Sequence, residues 1–176
     1  MRYRRANVNG GTYFFSVNLA ERNRALLVVH VEIFRAVLQG IKERHPFRTE
    51  ALVILPDLLH AIWTLPKDDR DFPTRWMLIK AGFPRHIAAG ERWSDSRARK
   101  GERGIWQRRY WEHLLRDEDD FRRHMDHAHY NPAKHGHATA VGEWPHSTFH
   151  HYVSRGVYSR DWGGSAAEEG RFGERS

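Results

Sequence analysis

Four polar residues in the last third of the chain, Asp120, His124, His127 and Asn131, are spaced four, three and four apart. On a helix turning about 100° per residue they share one face, each about one turn from the next. Carboxylate, imidazole and amide together form a donor set that can hold a divalent ion. A further donor, His60, lies in the apolar run Leu58 to Leu65, which reads as a strand. A helix face of His and Asn set opposite that strand would bring nitrogen and oxygen donors together. The chain has no Cys, so any ion must rest on His, carboxylate, amide or substrate oxygens, which points to Mg²⁺ or Mn²⁺ more than to structural zinc. The same spacing also suits solvent-facing or hydrogen-bonded histidines in a chain that carries 13 of them. Tyr130 lies about 60° round from His127 and borders the face without being on it.

The elements that must position these residues are legible as periodicities. Asn9-Gly10-Gly11 is a turn signal, and Thr12 to Leu19 is rich in aromatic and β-branched residues, which predicts a strand. Between His30 and Arg44 the residues Ile33, Phe34, Val37, Leu38 and Ile41 form one helical stripe that must pack on the sheet. Glu50 to Leu55 and Leu58 to Leu65 are two apolar runs around Pro56-Asp57, a β-hairpin. Asp71 to Ala89 has helical spacing, which Gly82 and Pro84 are expected to stop or kink. Residues 92–104 are Arg-, Ser- and Gly-rich and read as a mobile basic loop; Ile105 to Leu115 reads as strand and turn. Asp117 to Asn131 reads as a helix with an acidic first turn, ending where Pro132 follows. The order strand, helix, strand, strand, helix, strand, helix predicts an α+β fold, a ferredoxin-like antiparallel sheet with helices packed on one face.

At 176 residues one domain is expected, spanning 1–164, with 165–176 too poor in apolar residues to order. Lys and Arg number 29 against 22 acidic residues, a net charge of +7 and a pI near 10.0, which favours a polyanionic partner, nucleic acid ahead of a membrane surface. No stretch is apolar for long enough to span a bilayer, and the start lacks a signal-peptide core, so the cytoplasm is the expected compartment, in association with the nucleoid.

Several longer stretches resemble one family. They are Asn9-Gly10-Gly11-Thr12-Tyr13-Phe14-Phe15-Ser16-Val17-Asn18-Leu19; Leu55-Pro56-Asp57 with His60-Ala61-Ile62-Trp63-Thr64-Leu65-Pro66; Trp106-Gln107-Arg108-Arg109-Tyr110-Trp111-Glu112-His113; Asn131-Pro132-Ala133-Lys134-His135-Gly136; and Trp144-Pro145-His146-Ser147-Thr148-Phe149 with Asp161-Trp162-Gly163. On these the chain resembles the REP-associated tyrosine transposases, relatives of the single-tyrosine insertion-sequence transposases of the HUH nuclease superfamily. The resemblance implies cleavage and rejoining of single-stranded DNA at palindromic hairpins. A tyrosine attacks the phosphodiester and becomes joined to the 5′ phosphate, and a divalent ion held by two His and a helix side chain polarises the phosphate oxygen.

Laid on this chain, the family pattern puts the first metal His on Leu58, the second on His60, the third ligand on Asn131 and the nucleophilic Tyr on His127. Leu58 cannot coordinate, and an imidazole is no hydroxyl. The expectation is therefore hairpin recognition, as monomer or dimer, with weak or absent strand cleavage. Tyr130 is a candidate displaced nucleophile, though a packed tyrosine is the favoured reading; His127 is a candidate nucleophile or, better suited chemically, a substitute ligand. Arg4, Arg5, Lys80, Arg108, Arg109, Lys134 and His135 are the candidate DNA contacts, and Trp63, Trp106, Trp111 and Trp144 the candidate stacking platforms in a chain whose seven Trp should mostly be core. The competing reading, a generic RNA-binding ferredoxin-like module, accounts for charge and fold and leaves His60, Asn131 and the Asn-Pro-Ala-Lys-His-Gly run unexplained.

Overall fold

A computed structural model describes residues 7–163; the expected N-terminal arm with Arg4 and Arg5 and the expected disordered tail lie outside the described residues. The chain enters through a turn closed by Gly11 N–H donating to the Val8 carbonyl, with Gly10 at φ 66°, a value that costs a Cβ-bearing residue strain. Strand β1 (Thr12–Asn18) follows. A short helix α1 (Leu26–Val29) leads into α2 (Val31–Arg44), and a hairpin of β2 (Arg48–Ile54) and β3 (Leu58–Thr64) comes next. Helix α3 (Phe72–Arg85), a four-residue helix α4 (Asp95–Ala98), β4 (Trp111–Leu114), α5 (Glu118–Lys134) and α6 (Phe149–Ser154) complete the order. All strand pairs are antiparallel, in the order β2-β3-β1-β4, the ferredoxin-like arrangement expected.

Alternation along β1 and β3 makes the sheet two-sided. Tyr13, Phe15, Val17, Leu59, Ala61 and Trp63 face α2 and α3, meeting Phe34, Leu38, Trp76 and Ile79 in the main core, where Trp63 stacks on Trp76 at 4.3 Å between ring centroids. The crossover helices thus lie on one face as expected. The last long helix is added to the other: Phe14, Ala51, Val53 and Ile62 meet Met125 and Ala128 of α5 in a smaller cluster.

The expected stop in α3 falls just past Pro84 and not at Gly82, and the expected stop of α5 before Pro132 does not occur. Helix α3 runs through Gly82 and Pro84 to Arg85. Gly82 sits where α3 approaches α2, since a Cβ there would lie 3.1 Å from Cγ1 of Val37, and Pro84 falls in the last turn, where it forfeits a single bond. Arg103 wraps that end, donating to the carbonyls of Pro84, Ile87 and Ala88 while its guanidinium pairs with buried Glu91. This pairing holds the Glu91 carboxyl at about 2, so the basic segment 92–104 is tied to the helix end at Arg103. Helix α5 likewise continues through Pro132 to Lys134. Its end is closed by His135 N–H to Asn131, Gly136 N–H to Ala133 and His137 N–H to Pro132, with Gly136 at φ 72°, a Schellman motif. The Asn-Pro-Ala-Lys-His-Gly run is that helix terminus.

Candidate active site on the α5 face of the sheet

On the face under α5, the strand registers lay residues out in rows. One row reads Trp111, Ser16, His60, Val53 across β4, β1, β3 and β2; the next reads His113, Phe14, Ile62, Ala51. Leu58, two residues before His60, shares its face. Helix α5 crosses this surface diagonally. Its N-terminal turns meet the β4 edge, where Asp120 bonds His113 at 2.9 Å. The His124 ring lies 5.0 Å from Phe14, and His127 reaches β3, 5.2 Å ring to ring from His60 and 5.8 Å from Phe14. The predicted face of Asp120, His124, His127 and Asn131 is therefore the face turned to the sheet.

His60 is 3% exposed, and burial, followed by repulsion from His127, pushes its pKa down to about 3, while the nearby Asn131 amide acts weakly in the opposite direction. Its imidazole is neutral at any physiological pH, with a lone pair to give. Neither ring nitrogen of His60 and neither amide atom of the buried Asn131 makes a hydrogen bond of good geometry, although the Asn131 side chain and the Phe15 backbone lie close enough to His60 to favour its protonated form. Polar atoms this poorly satisfied in one buried spot are costly, and a divalent ion is a group that would satisfy the His60 nitrogen and the Asn131 amide oxygen. The donor set fits such an ion with His127 beside it; Leu58, 8% exposed and apolar, contributes nothing.

The other named residues divide. Tyr130 is half-buried, its ring 6.3 Å from Trp162 and close against Gly163. Lys134 and His135 are exposed at the C-terminal end of α5, next to the site. Lys80 is drawn elsewhere: its ammonium donates to the carbonyls of Gln107 and Arg108 at 2.6 and 3.1 Å and lies over Tyr110. Lys80 and Arg108 line a cleft of about 710 Å³ between α3 and residues 97–110, on the far side of the sheet. Arg109 is exposed just before β4. Among the Trp candidates, Trp63 and Trp106 are buried and Trp144 donates its indole N–H to the Ile54 carbonyl, whereas Trp111 is 57% exposed in the same row as His60. Sequence reasoning named His113 only within a motif; its place on the site face follows from strand alternation once its pairing with Phe14 is known.

No family model matches the chain. The REP-associated tyrosine transposase of Escherichia coli (strain K12) is 42% identical over 166 residues, 94% of this chain and 93% of that protein. The chain belongs to the REP-associated tyrosine transposase family. A relative from Haemophilus influenzae is 40% identical over 93% of the chain and 93% of its own length. The solved structure of a REP-associated tyrosine transposase bound to a REP hairpin superposes with a TM-score of 0.81 at 40% identity, covering 100% of this chain and 98% of that one. Among the described residues, no helix is long and apolar enough to cross a membrane.

Proposed function

We propose that this REP-associated tyrosine transposase homologue binds REP-type single-stranded DNA hairpins in the cytoplasm, keeps an altered divalent-ion site and has lost the nucleophile for strand cleavage. The observation that carries the reading is the imidazole of His127 inside the site, against His60 and Phe14, at the position where the family resemblance puts the attacking tyrosine. When bound, a divalent ion at His60 and Asn131 supplies polarisation of a phosphate oxygen. His60 is neutral, neither it nor Asn131 has a hydrogen bond of good geometry, and His127 takes the role of substitute ligand in place of the side chain missing at Leu58. An imidazole at that position provides no hydroxyl for a phosphotyrosine linkage. Tyr130, turned toward Trp162, is not a replacement nucleophile.

Hairpin recognition rests on other residues of the same region. Lys134, His135 and Arg109 are exposed and supply phosphate neutralisation beside the site, and Trp111 supplies a stacking surface in the row of His60. The test is nicking of a labelled single-stranded REP hairpin with Mn²⁺ or Mg²⁺ by the wild-type chain and by the double variant Leu58→His, His127→Tyr, each with and without Tyr130→Phe. Both chains should bind the hairpin, only the double variant should nick it and form a covalent adduct, and Tyr130→Phe should change neither. Cleavage by the wild type with an adduct at Tyr130 or His127 would overturn the loss of chemistry, and absence of hairpin binding would overturn the DNA reading itself.

A further inference from the structure

Beside the His60 group, at the other end of the α5 face, three donors from two elements converge. His113 of β4 and Asp120 and His124 of α5 each offer a ligand atom, and these atoms all lie within 4.8 Å of one another. His113 Nε2 is 2.9 Å from Asp120 Oδ2, and His124 Nδ1 is 3.2 Å from Asp120 Oδ1. Neighbouring ligands on a tetrahedral ion with bonds of ~2.0 Å are ~3.3 Å apart; the two contacts, which run to different oxygens of the Asp120 carboxylate, lie near that spacing, so small side-chain shifts would complete the set. The two imidazoles stack at 4.7 Å between centroids with 19° between their planes.

We propose that His113, Asp120 and His124 form a second divalent-ion site, selective for a borderline ion of the Zn²⁺ or Co²⁺ kind and open on its outer side to water or a phosphate oxygen. Two imidazoles and one carboxylate match that class of ion better than Mg²⁺, which prefers all-oxygen shells. The carboxylate is the buried member, its side chain 8% exposed, while the His side chains are 25% and 24% exposed, so the ion would enter and keep its free positions on the solvent side. The Arg116 N–H donates to Oδ2 of Asp120 at 3.1 Å and orients the carboxylate from behind, as outer-shell partners of metal ligands do. Arg123, 70% exposed and 3.3 Å from Oδ1, holds the carboxylate only from the solvent side and is free to swing away.

The protonation states suit ligation. Burial alone would raise the Asp120 carboxyl, but the hydrogen bonds from His113 and Arg116 outweigh it and hold the group at about 2; burial lowers His124, which favours its neutral form. Coordination through Nδ1 exchanges the present 2.8 Å bond between that nitrogen and the Asp120 carbonyl for a metal bond, and the single proton of the neutral ring moves to Nε2. The Phe14 ring stands between the two groups, 5.0 Å from His124 and 5.3 Å from His60, and no donor is shared between them. The second site is therefore independent of whether the His60 site holds an ion.

The test is Co²⁺ titration of the full chain, followed by the visible bands of the bound ion, with Zn²⁺ calorimetry in parallel, for wild type, His113→Gln, His124→Gln and His60→Gln. Wild type and His60→Gln should both show the low-coordinate Co²⁺ bands of the His113 group, with any contribution from the His60 site confined to the wild type. His113→Gln and His124→Gln, on a strand and a helix respectively, should each lose at least ~10-fold in affinity for that signal, so that failure of one variant to fold leaves the other to be read. Equal affinity in wild type and both of these variants, loss of the signal in His60→Gln alone, or a wild type that takes no Co²⁺ at about 1 mM would each overturn the assignment.

Discussion

Acidification should destabilise this protein well before its carboxylates begin to protonate, because two imidazoles are buried where a proton is unwelcome. His60 is 3% and His129 0% exposed, and burial is the main cause that holds each at about 3 instead of 6.5. At pH 7 both are neutral in the folded and the unfolded chain, so neither makes stability depend on pH. As pH falls below 6.5 the unfolded chain takes up a proton at each, while the folded chain resists until pH approaches 3, and stability drops between those limits. One pH unit corresponds to 1.36 kcal/mol per group, so at pH 5 each imidazole costs about 2 kcal/mol and the pair about 4 kcal/mol, a large part of an ordinary folding free energy. His124 and His146, also lowered by burial, act in the same direction. Asp120 and Glu91, held at about 2, begin to cost only at lower pH, so the interval from pH 7 to 5 isolates the histidines. Guanidinium unfolding followed by circular dichroism at pH 7.0 and 5.0 measures the difference; His60→Leu should remove about 2 kcal/mol of the pH-dependent loss. Equal stability of the wild type at both pH values, or an undiminished loss in His60→Leu, would refute the reasoning.

Trp111→Ala should weaken binding of a REP hairpin by about 1–3 kcal/mol while leaving the melting temperature unchanged, since the ring is 57% exposed on the site face; unaltered affinity in a filter or fluorescence assay would remove Trp111 from the interface. Arg103→Ala should lower stability by about 3–5 kcal/mol, because it strands the Glu91 carboxylate, whose side chain is 1% exposed, and uncovers the end of α3; a shift in denaturation midpoint smaller than about 1 kcal/mol equivalent would show that water replaces the guanidinium.

Sequence reasoning reached the sheet and its hairpin because β1 and β3 alternate cleanly, and it reached the shared face of Asp120, His124, His127 and Asn131 because helical spacing is strict. It placed the end of α5 too early. Proline was weighed as a breaker, whereas the three backbone bonds that follow Pro132, together with the left-handed Gly136, stabilise a last turn from beyond it. Gly82 was taken as a helix defect because the partner that requires a missing Cβ, Val37, is 45 residues away and no local pattern marks it. Lys80 and Arg108 were counted among the candidate DNA contacts; their placement in a separate cleft depends on how residues 97–110 fold back on α3. His113 was invisible as a donor for the same reason, since its role depends on which strand it pairs with.

All the helix-borne donors, Asp120, His124, His127 and Asn131, ride on one rod. From its N-cap at Asp117 to Asn131 the rod is about 21 Å long, so a 5° tilt about the capped end would move Asn131 by ~1.8 Å but His124 by only ~0.9 Å. Coordination tolerates errors of about 0.2 Å. The height of the rod above the sheet is set by Ala128, 0% exposed, bearing on the cluster of Phe14, Val53 and Ile62. A larger side chain at Ala128 would thus work like a wedge under a pointer, misaiming the His60 end far more than the His113 end without altering a single donor.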